Sequence, residues 1–161
     1  MTATSRIYFG LSLALLILVL VGCKSEPTAI EQAQMDRILI EEYAQEQGLN
    51  GEFDDEGIYW EITAGEDTAA GYPALTDTLV IEYQTAFLNG EIFDRSVEAG
   101  VGDTVILALT IEGWLEIMPS FNRGASGYFI VPSRLAYGRD GYRVVPPNTV
   151  LRYDITLHDF F

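Results

Sequence analysis

Apolar residues recur at three periods along this 161-residue chain, and each period predicts a different element. From Ile7 to Val21 the run is almost unbroken, with Ser12 the one clearly polar side chain. Between Met35 and Tyr43 the period is helical. Met35, Ile38, Leu39 and Tyr43 lie at the spacing of one helix face, with Glu and Gln around them. Thr28 and Glu31 have the form of a capping box, so a helix should start near Thr28, and Gly48 is a natural stop. Beyond that point the period falls to two. Ile58, Trp60 and Ile62 alternate with Tyr59 and Glu61, and Leu79, Ile81 and Tyr83 alternate again. Asn89-Gly90 is a strong hairpin signal that joins the strand around Tyr83 to Ile92-Phe93-Asp94.

The pattern predicts further strands over Val105 to Leu109 and Tyr128 to Val131. The last is the clearest, with Leu151, Tyr153, Ile155 and Leu157 on one face and Arg152, Asp154, Thr156 and His158 on the other. A short helix led by Trp114 is expected from Gly113 to Met118. Glu52 to Glu56, Ala64 to Asp77 and Pro132 to Pro147 read as loops. The expected fold is α+β: an antiparallel β-sheet curved around a single short helix and preceded by an amphipathic N-terminal helix. That first helix either packs on the sheet domain or forms a dimer contact, and packing is the favoured expectation.

The apolar run after Arg6 has the length and positive start of a secretory signal and is shorter than the roughly 20 residues a spanning helix needs. It ends in Leu20-Val21-Gly22-Cys23, which resembles the lipobox of bacterial lipoproteins. The resemblance implies cleavage before Cys23 and lipid attachment to its thiol. Residues 1–22 are then a signal peptide, 23–50 a lipid-anchored tether and helix, and 57–161 the functional domain. It also implies a location in the bacterial cell envelope, with the outer membrane and its periplasmic side preferred because Lys24 carries no inner-membrane retention signal.

Composition narrows the chemistry. Cleavage removes Arg6 and no acidic residue, taking the net charge from −15 to −16, the opposite of a nucleic-acid footprint. An acid-rich, lysine-poor surface suits a saline habitat and suits an ordinary acidic envelope protein equally. Cys23 is the only cysteine, so no disulfide staples the fold. With one histidine, His158, a catalytic triad or a histidine-based metal centre is nearly excluded, and no metal or cofactor is expected. The chain is instead rich in aromatics, with 9 Tyr, 8 Phe and 2 Trp, several beside Gly and Pro in the β region. Such residues line pockets for apolar ligands.

Four blocks in order carry a family resemblance. Val80-Ile-Glu-Tyr83 with Asn89-Gly-Glu-Ile-Phe93-Asp94-Arg-Ser96 resembles the early hairpin of FKBP-type peptidyl-prolyl cis-trans isomerases. Thr110-Ile111-Glu-Gly113-Trp114 is similar to the opening of that family's central helix. Pro132-Ser133-Arg-Leu-Ala136-Tyr137-Gly138 and Pro146-Pro147-Asn-Thr-Val150-Leu-Arg-Tyr153 resemble its later motifs. The resemblance implies a pocket with Trp114 as floor, Tyr83, Phe93 and Tyr153 as walls, and Ile111 offering an apolar wall and a backbone N–H. It implies that Asp94 lies near the twisting carbonyl, that Tyr137 supplies a hydroxyl to a substrate carbonyl, that Thr110 forms part of the rim, and that Val145 belongs to a flap above the site. Partners would be X-Pro segments of unfolded exported proteins, with macrolide-type molecules as candidate ligands.

Read without that resemblance, Trp114, Tyr83, Phe93 and Tyr153 are candidates for ordinary core, Asp94 for a turn cap, Tyr137 for a core tyrosine and Val145 for a plain loop residue. The chain also departs from the family pattern. Thr110 stands where valine is usual and is expected to make the rim slightly polar. Tyr153 replaces a phenylalanine. Gly100 to Leu109 carries no aromatic, and the flap from Arg139 to Val145 is one residue short. Two functions remain: a prolyl isomerase assisting exported proteins, and a non-catalytic binding module in an envelope, secretion or motility assembly.

Overall fold

Thr28 caps the first helix, α1 (Ala29–Gln47), in a computed structural model that describes residues 26–65, 67–96 and 102–161. The apolar leader and Cys23 lie outside the described residues. The capping box is complete. The Thr28 hydroxyl accepts from the Glu31 amide at 3.2 Å, and the Glu31 carboxylate accepts from the Thr28 amide at 2.8 Å. Gly48 ends the helix at φ 64°, and its amide reaches back to Ala44 and Gln45. Among the described residues no helix is long and apolar enough to cross a membrane.

The strands are β1 (Glu52–Phe53), β2 (Tyr59–Ala64), β3 (Thr78–Phe87), β4 (Ile92–Arg95), β5 (Asp103–Ile106), β6 (Ser126–Val131) and β7 (Leu151–Phe160). They form one sheet in the order β1-β2-β6-β7-β3-β4, with β5 also on β3, and every pair is antiparallel. The second helix, α2 (Glu112–Ile117), lies on one face of this sheet. There Trp114, Ile117 and Met118 pack with Leu79, Ile81, Phe129, Tyr153, Ile155 and Leu157 in the main core.

The reverse face is covered at one end by α1, where Ile40 and Ala44 pack against Tyr59, Tyr128, Ile130 and Val150. This two-sided cover explains a difference between strands. β7 is covered mainly on one face and alternates cleanly. β6 is buried along nearly its whole length and reads as the continuous apolar run Tyr128-Phe129-Ile130-Val131.

The helix does pack on the sheet domain, but of the face its periodicity predicts only Tyr43 packs there. The buried positions are Asp36, Ile40 and Ala44, while Met35, Ile38 and Leu39 are about half exposed. A stripe at i, i+4 and i+8 faces the sheet, the small Ala44 allows close approach, and an aspartate occupies a core position because it finds donors there. Hydropathy spacing cannot register that last event.

Two loop and strand expectations change as well. Glu52 and Phe53 pair with Trp60 and Tyr59 as a short strand rather than a solvated loop, because the Phe53 ring meets Tyr59 edge-on at 5.0 Å. The segment expected as a strand to Leu109 turns at Leu107 into a 3₁₀ turn. The Leu107 amide donates to Asp77, and its carbonyl accepts from both the amide and the hydroxyl of Thr110.

Candidate active site

One row of residues runs straight across the sheet and sets the site. Asp94 on β4 pairs with Thr85 on β3, Thr85 with Tyr153 on β7, Tyr153 with Phe129 on β6, and Phe129 with Trp60 on β2. Paired residues share a face, so the row presents a carboxylate, a hydroxyl and three aromatic rings to the side on which α2 lies. The Asn89-Gly90 turn brings Asp94 into this row. Gly90 takes φ 87°, Asn89 accepts from the Glu91 amide at 2.9 Å, and the hairpin closes on Phe87.

Helix α2 lowers Trp114 onto the row. The Trp114 ring meets Tyr83, Phe129 and Tyr153 edge-on, with centroids 5.9, 5.9 and 5.6 Å away, while Phe129 and Tyr153 stack at 5.0 Å. These geometries suit the ring quadrupoles. The depth of the helix depends on Gly113. A Cβ there would lie 2.5 Å from the Val131 side chain, so only glycine lets α2 approach β6 this closely.

Above Trp114 is a cleft of about 380 Å³, the size of a small-ligand pocket. Tyr83, Phe93, Asp94, Thr110, Ile111, Trp114, Tyr137 and Tyr153 all line it, as do Thr85, Val105, Leu109 and Tyr142. The sequence reading brings those first eight together correctly as neighbours. Val145 is the exception. It is 5 % exposed, belongs to the core, and exchanges both backbone hydrogen bonds with Tyr142, at 2.9 and 2.8 Å. That tight turn, with Arg143 at φ 50°, turns Val145 inward and presents Tyr142 to the cleft instead. Tyr142 stacks on Tyr137 at 5.3 Å and 15°.

Thr110 also behaves differently from expectation. Its hydroxyl donates to the Leu107 carbonyl at 2.7 Å, so it is spent on the preceding turn rather than adding a polar group to the rim. Where no aromatic was expected along one wall, Val105 and Leu109 line it. Of the residues the sequence reading missed, Thr85 was accessible by alternation from Tyr83. Tyr142 carried no local signal.

The hydroxyls of the site are held as donors. Burial pushes Tyr83 up to about 12, and the nearby Asp94 charge adds to the shift. Tyr137 is raised by burial and then by Asp94. Tyr153 is raised most, by burial and then by Tyr137 and Asp94, while a hydrogen bond from Trp114 opposes the shift. All three therefore keep their protons at neutral pH. Asp94 is exposed at the edge, and its carboxylate accepts from Tyr83 Oη at 3.4 Å and from the Arg95 amide at 2.9 Å.

His158 takes no part. It lies on the other face, with Nε2 3.7 Å from Glu82. A larger groove on that face, about 630 Å³ and lined by Glu82, Gln84, Arg95, Asp154 and Thr156, is predominantly polar and lacks an aromatic floor. Among the described residues no group of three or more His, Cys, Asp or Glu could hold a metal ion.

The profile of the family described as FKBP-type peptidyl-prolyl cis-trans isomerase matches residues 70–158. The FKBP-type peptidyl-prolyl cis-trans isomerase FkpA of Escherichia coli is 29% identical over 137 residues, covering 84% of this chain and 49% of that protein. The peptidyl-prolyl cis-trans isomerase Mip of Coxiella burnetii is 35% identical over 86 residues, covering 53% of this chain and 37% of that protein. The chain thus spans about half the length of the FkpA proteins of Escherichia coli and Aeromonas hydrophila. The crystal structure of FkpA from Escherichia coli superimposes with a TM-score of 0.68 at 28% identity, over 82% of this chain and 60% of that one. A peptidyl-prolyl cis-trans isomerase from Pseudomonas syringae shares the fold at a TM-score of 0.69 and 20% identity, over 84% of this chain and 98% of that one.

Proposed function

The chain belongs to the family of FKBP-type peptidyl-prolyl cis-trans isomerases, and from that premise we propose that it accelerates cis–trans isomerisation of X-Pro bonds in exported proteins, in the bacterial cell envelope. The observation that carries this reading is the convergence on one aromatic-lined cleft of Trp114, Tyr83, Phe93 and Tyr153 with Asp94 and Tyr137. A module that only scaffolds needs no such convergence.

The chemistry follows from the amide. Rotation about an X-Pro bond costs roughly 18–20 kcal/mol because the planar amide loses its resonance. No bond is broken, so no nucleophile is needed. What counts is binding the twisted amide better than either planar form. In this reading the proline ring sits on the Trp114 indole between Tyr83, Phe93 and Tyr153. Removing water from a polar planar amide weakens it relative to the less conjugated twisted form. Tyr137 donates to a substrate carbonyl, the Ile111 amide offers a second donor, and Asp94 orients the twisting group without acting as a base. Each factor of ten needs only about 1.4 kcal/mol, within the reach of packing and one or two hydrogen bonds. Macrolide-type molecules are candidate ligands of the same cleft.

The purified protein is expected to speed relaxation of a short X-Pro peptide from cis to trans. A wild-type rate no faster than that of the double variant Trp114→Ala, Asp94→Asn would remove the assignment. The anchoring half of the proposal rests on the leader and Cys23. A radioactive fatty acid fed to producing cells should label the protein and leave Cys23→Ser unlabelled, and equal labelling of the two would refute lipid attachment at this thiol.

A further inference from the structure

The second layer of the site contains a residue from outside the sheet domain. Asp36 is near the middle of α1, yet it is only 2 % exposed. One carboxylate oxygen accepts from the amide of Ser133 at 2.8 Å and from the Ser133 hydroxyl at 2.6 Å. The other accepts from Gln32 one turn earlier, at 2.7 Å. Ser133 is itself 1 % exposed and opens the 3₁₀ turn Ser133–Leu135. The residue before that turn is Pro132, which supplies no side-chain cap. Asp36 therefore caps the turn from 97 residues away in sequence, placing a negative charge where unpaired amides point.

The capped turn leads directly to Tyr137. The Ser133 carbonyl accepts from the Ala136 amide at 3.1 Å and the Gly138 amide at 2.8 Å, so it brackets Tyr137 on both sides. Gly138 in turn accepts from Asn148 at 2.7 Å, and the Tyr137 carbonyl accepts from Gly141 at 3.1 Å, tying the flap to the same point. On the other side of the turn, the Leu135 carbonyl lies 3.4 Å from where a Cβ on Gly113 would be, against the helix that carries Trp114.

We propose that Asp36 is a positioning residue of the isomerase site: through Ser133 it fixes the turn that holds Tyr137 over the cleft, so that α1 is a structural part of the active domain as well as a link to the anchor. This rests on the isomerase reading above, and in particular on Tyr137 contacting substrate. Burial of an aspartate in place of an apolar residue is otherwise a cost, since its oxygens must be matched by donors throughout. Here two of the three donors belong to Ser133, at the turn that leads to Tyr137, and the third is Gln32 of the same helix.

The test is a double-mutant cycle in the full chain, with Ile40→Ala as a control that removes buried helix contact but leaves both Asp36 oxygens in place. Asp36→Ala is expected to lower kcat/KM on an X-Pro peptide about tenfold in the wild-type background and less than twofold in a Tyr137→Phe background. Ile40→Ala should lower stability while leaving kcat/KM within about twofold at a temperature where all variants are folded. The same loss from Asp36→Ala in both backgrounds, or no loss, overturns the proposal. Hydrogen exchange at the Ser133 and Gly138 amides gives a readout that does not need turnover. It should accelerate at least tenfold in Asp36→Ala and not in Ile40→Ala. Unchanged exchange overturns the positioning role, whereas an inactive wild type with accelerated exchange in Asp36→Ala overturns only the isomerase reading.

Discussion

Trp114→Ala is expected to lower the free energy of unfolding by about 3–5 kcal/mol, the usual cost of deleting a buried aromatic side chain, and to reduce X-Pro isomerisation to the uncatalysed rate. Trp114 is 5 % exposed and meets three other rings edge-on. Its removal leaves a cavity at the point where α2 meets the sheet and takes away the edge-on ring contact with Tyr153 at 5.6 Å. The neighbours cannot close the gap, because Tyr153 and Phe129 are fixed by strand pairing between β6 and β7. Two measurements separate stability from chemistry. Urea unfolding gives the first, and the rate per folded molecule well below the transition gives the second. Trp114→Phe should recover more than half of the stability. A Trp114→Ala protein that is folded and still isomerises at the wild-type rate would show that the indole is core and not floor.

The second large effect is expected outside the cleft lining, at Gly127. Gly127 is the second residue of β6, opposite Ile62 on β2 and Ile155 on β7. A Cβ at this position would lie 2.2 Å from the Glu61 carbonyl oxygen and 2.8 Å from the Phe121 ring. The clash is with backbone, so no side-chain rotation relieves it. Overpacking of this kind costs about 1–3 kcal/mol and sometimes more. Gly127→Ala should therefore destabilise the fold by at least about 2 kcal/mol in chemical unfolding. The amides between β2 and β6 should exchange faster, while those between β3 and β7 change little. A loss below about 0.5 kcal/mol, the range of an inconsequential surface change, would show that β2 can move aside freely.

These two positions show how differently information is held along the chain. Trp114 stands out in the sequence because it follows Gly113 in a motif and belongs to an aromatic-rich chain with one histidine. Gly127 has no such signal. Its requirement arises because β2, 65 residues earlier at Ile62, is pressed against it. Asp36 is a sharper case. Helical spacing places it beside the apolar stripe and assigns the buried face to Met35, Ile38, Leu39 and Tyr43, but the sheet buries Asp36, Ile40 and Ala44, with Tyr43 packing at their side. The donors that make a buried carboxylate tolerable come from Gln32 one turn earlier and from Ser133, 97 residues away.

The cleft was legible for a related reason. The family resemblance names eight of its lining residues, and seven of them lie on short-range patterns: alternation on β3, the Asn89-Gly90 turn before Phe93 and Asp94, the start of α2, and alternation on β7; Tyr137 follows the turn that Ser133 opens. Val145, expected in the flap above the site, turns into the core, and Tyr142 lines the cleft. The facing of a loop residue is set by how the loop closes, here by a two-bond turn with Arg143 at φ 50°, and hydropathy says nothing about that.

The sequence by itself determined the elements and their chemistry: a capped helix from Ala29 to Gln47, a hairpin at Asn89-Gly90, a strictly alternating last strand, and an aromatic site without catalytic histidine or cysteine. Those features depend on neighbours a few residues apart, where backbone geometry and side-chain period are enough. Only the tertiary structure decided which face α1 buries, why Gly113 and Gly127 have no side chain, and which residue of the flap faces the cleft. Each of those depends on contact between segments distant in the chain, and the physical cost of a misplaced atom there appears only once both segments are in position.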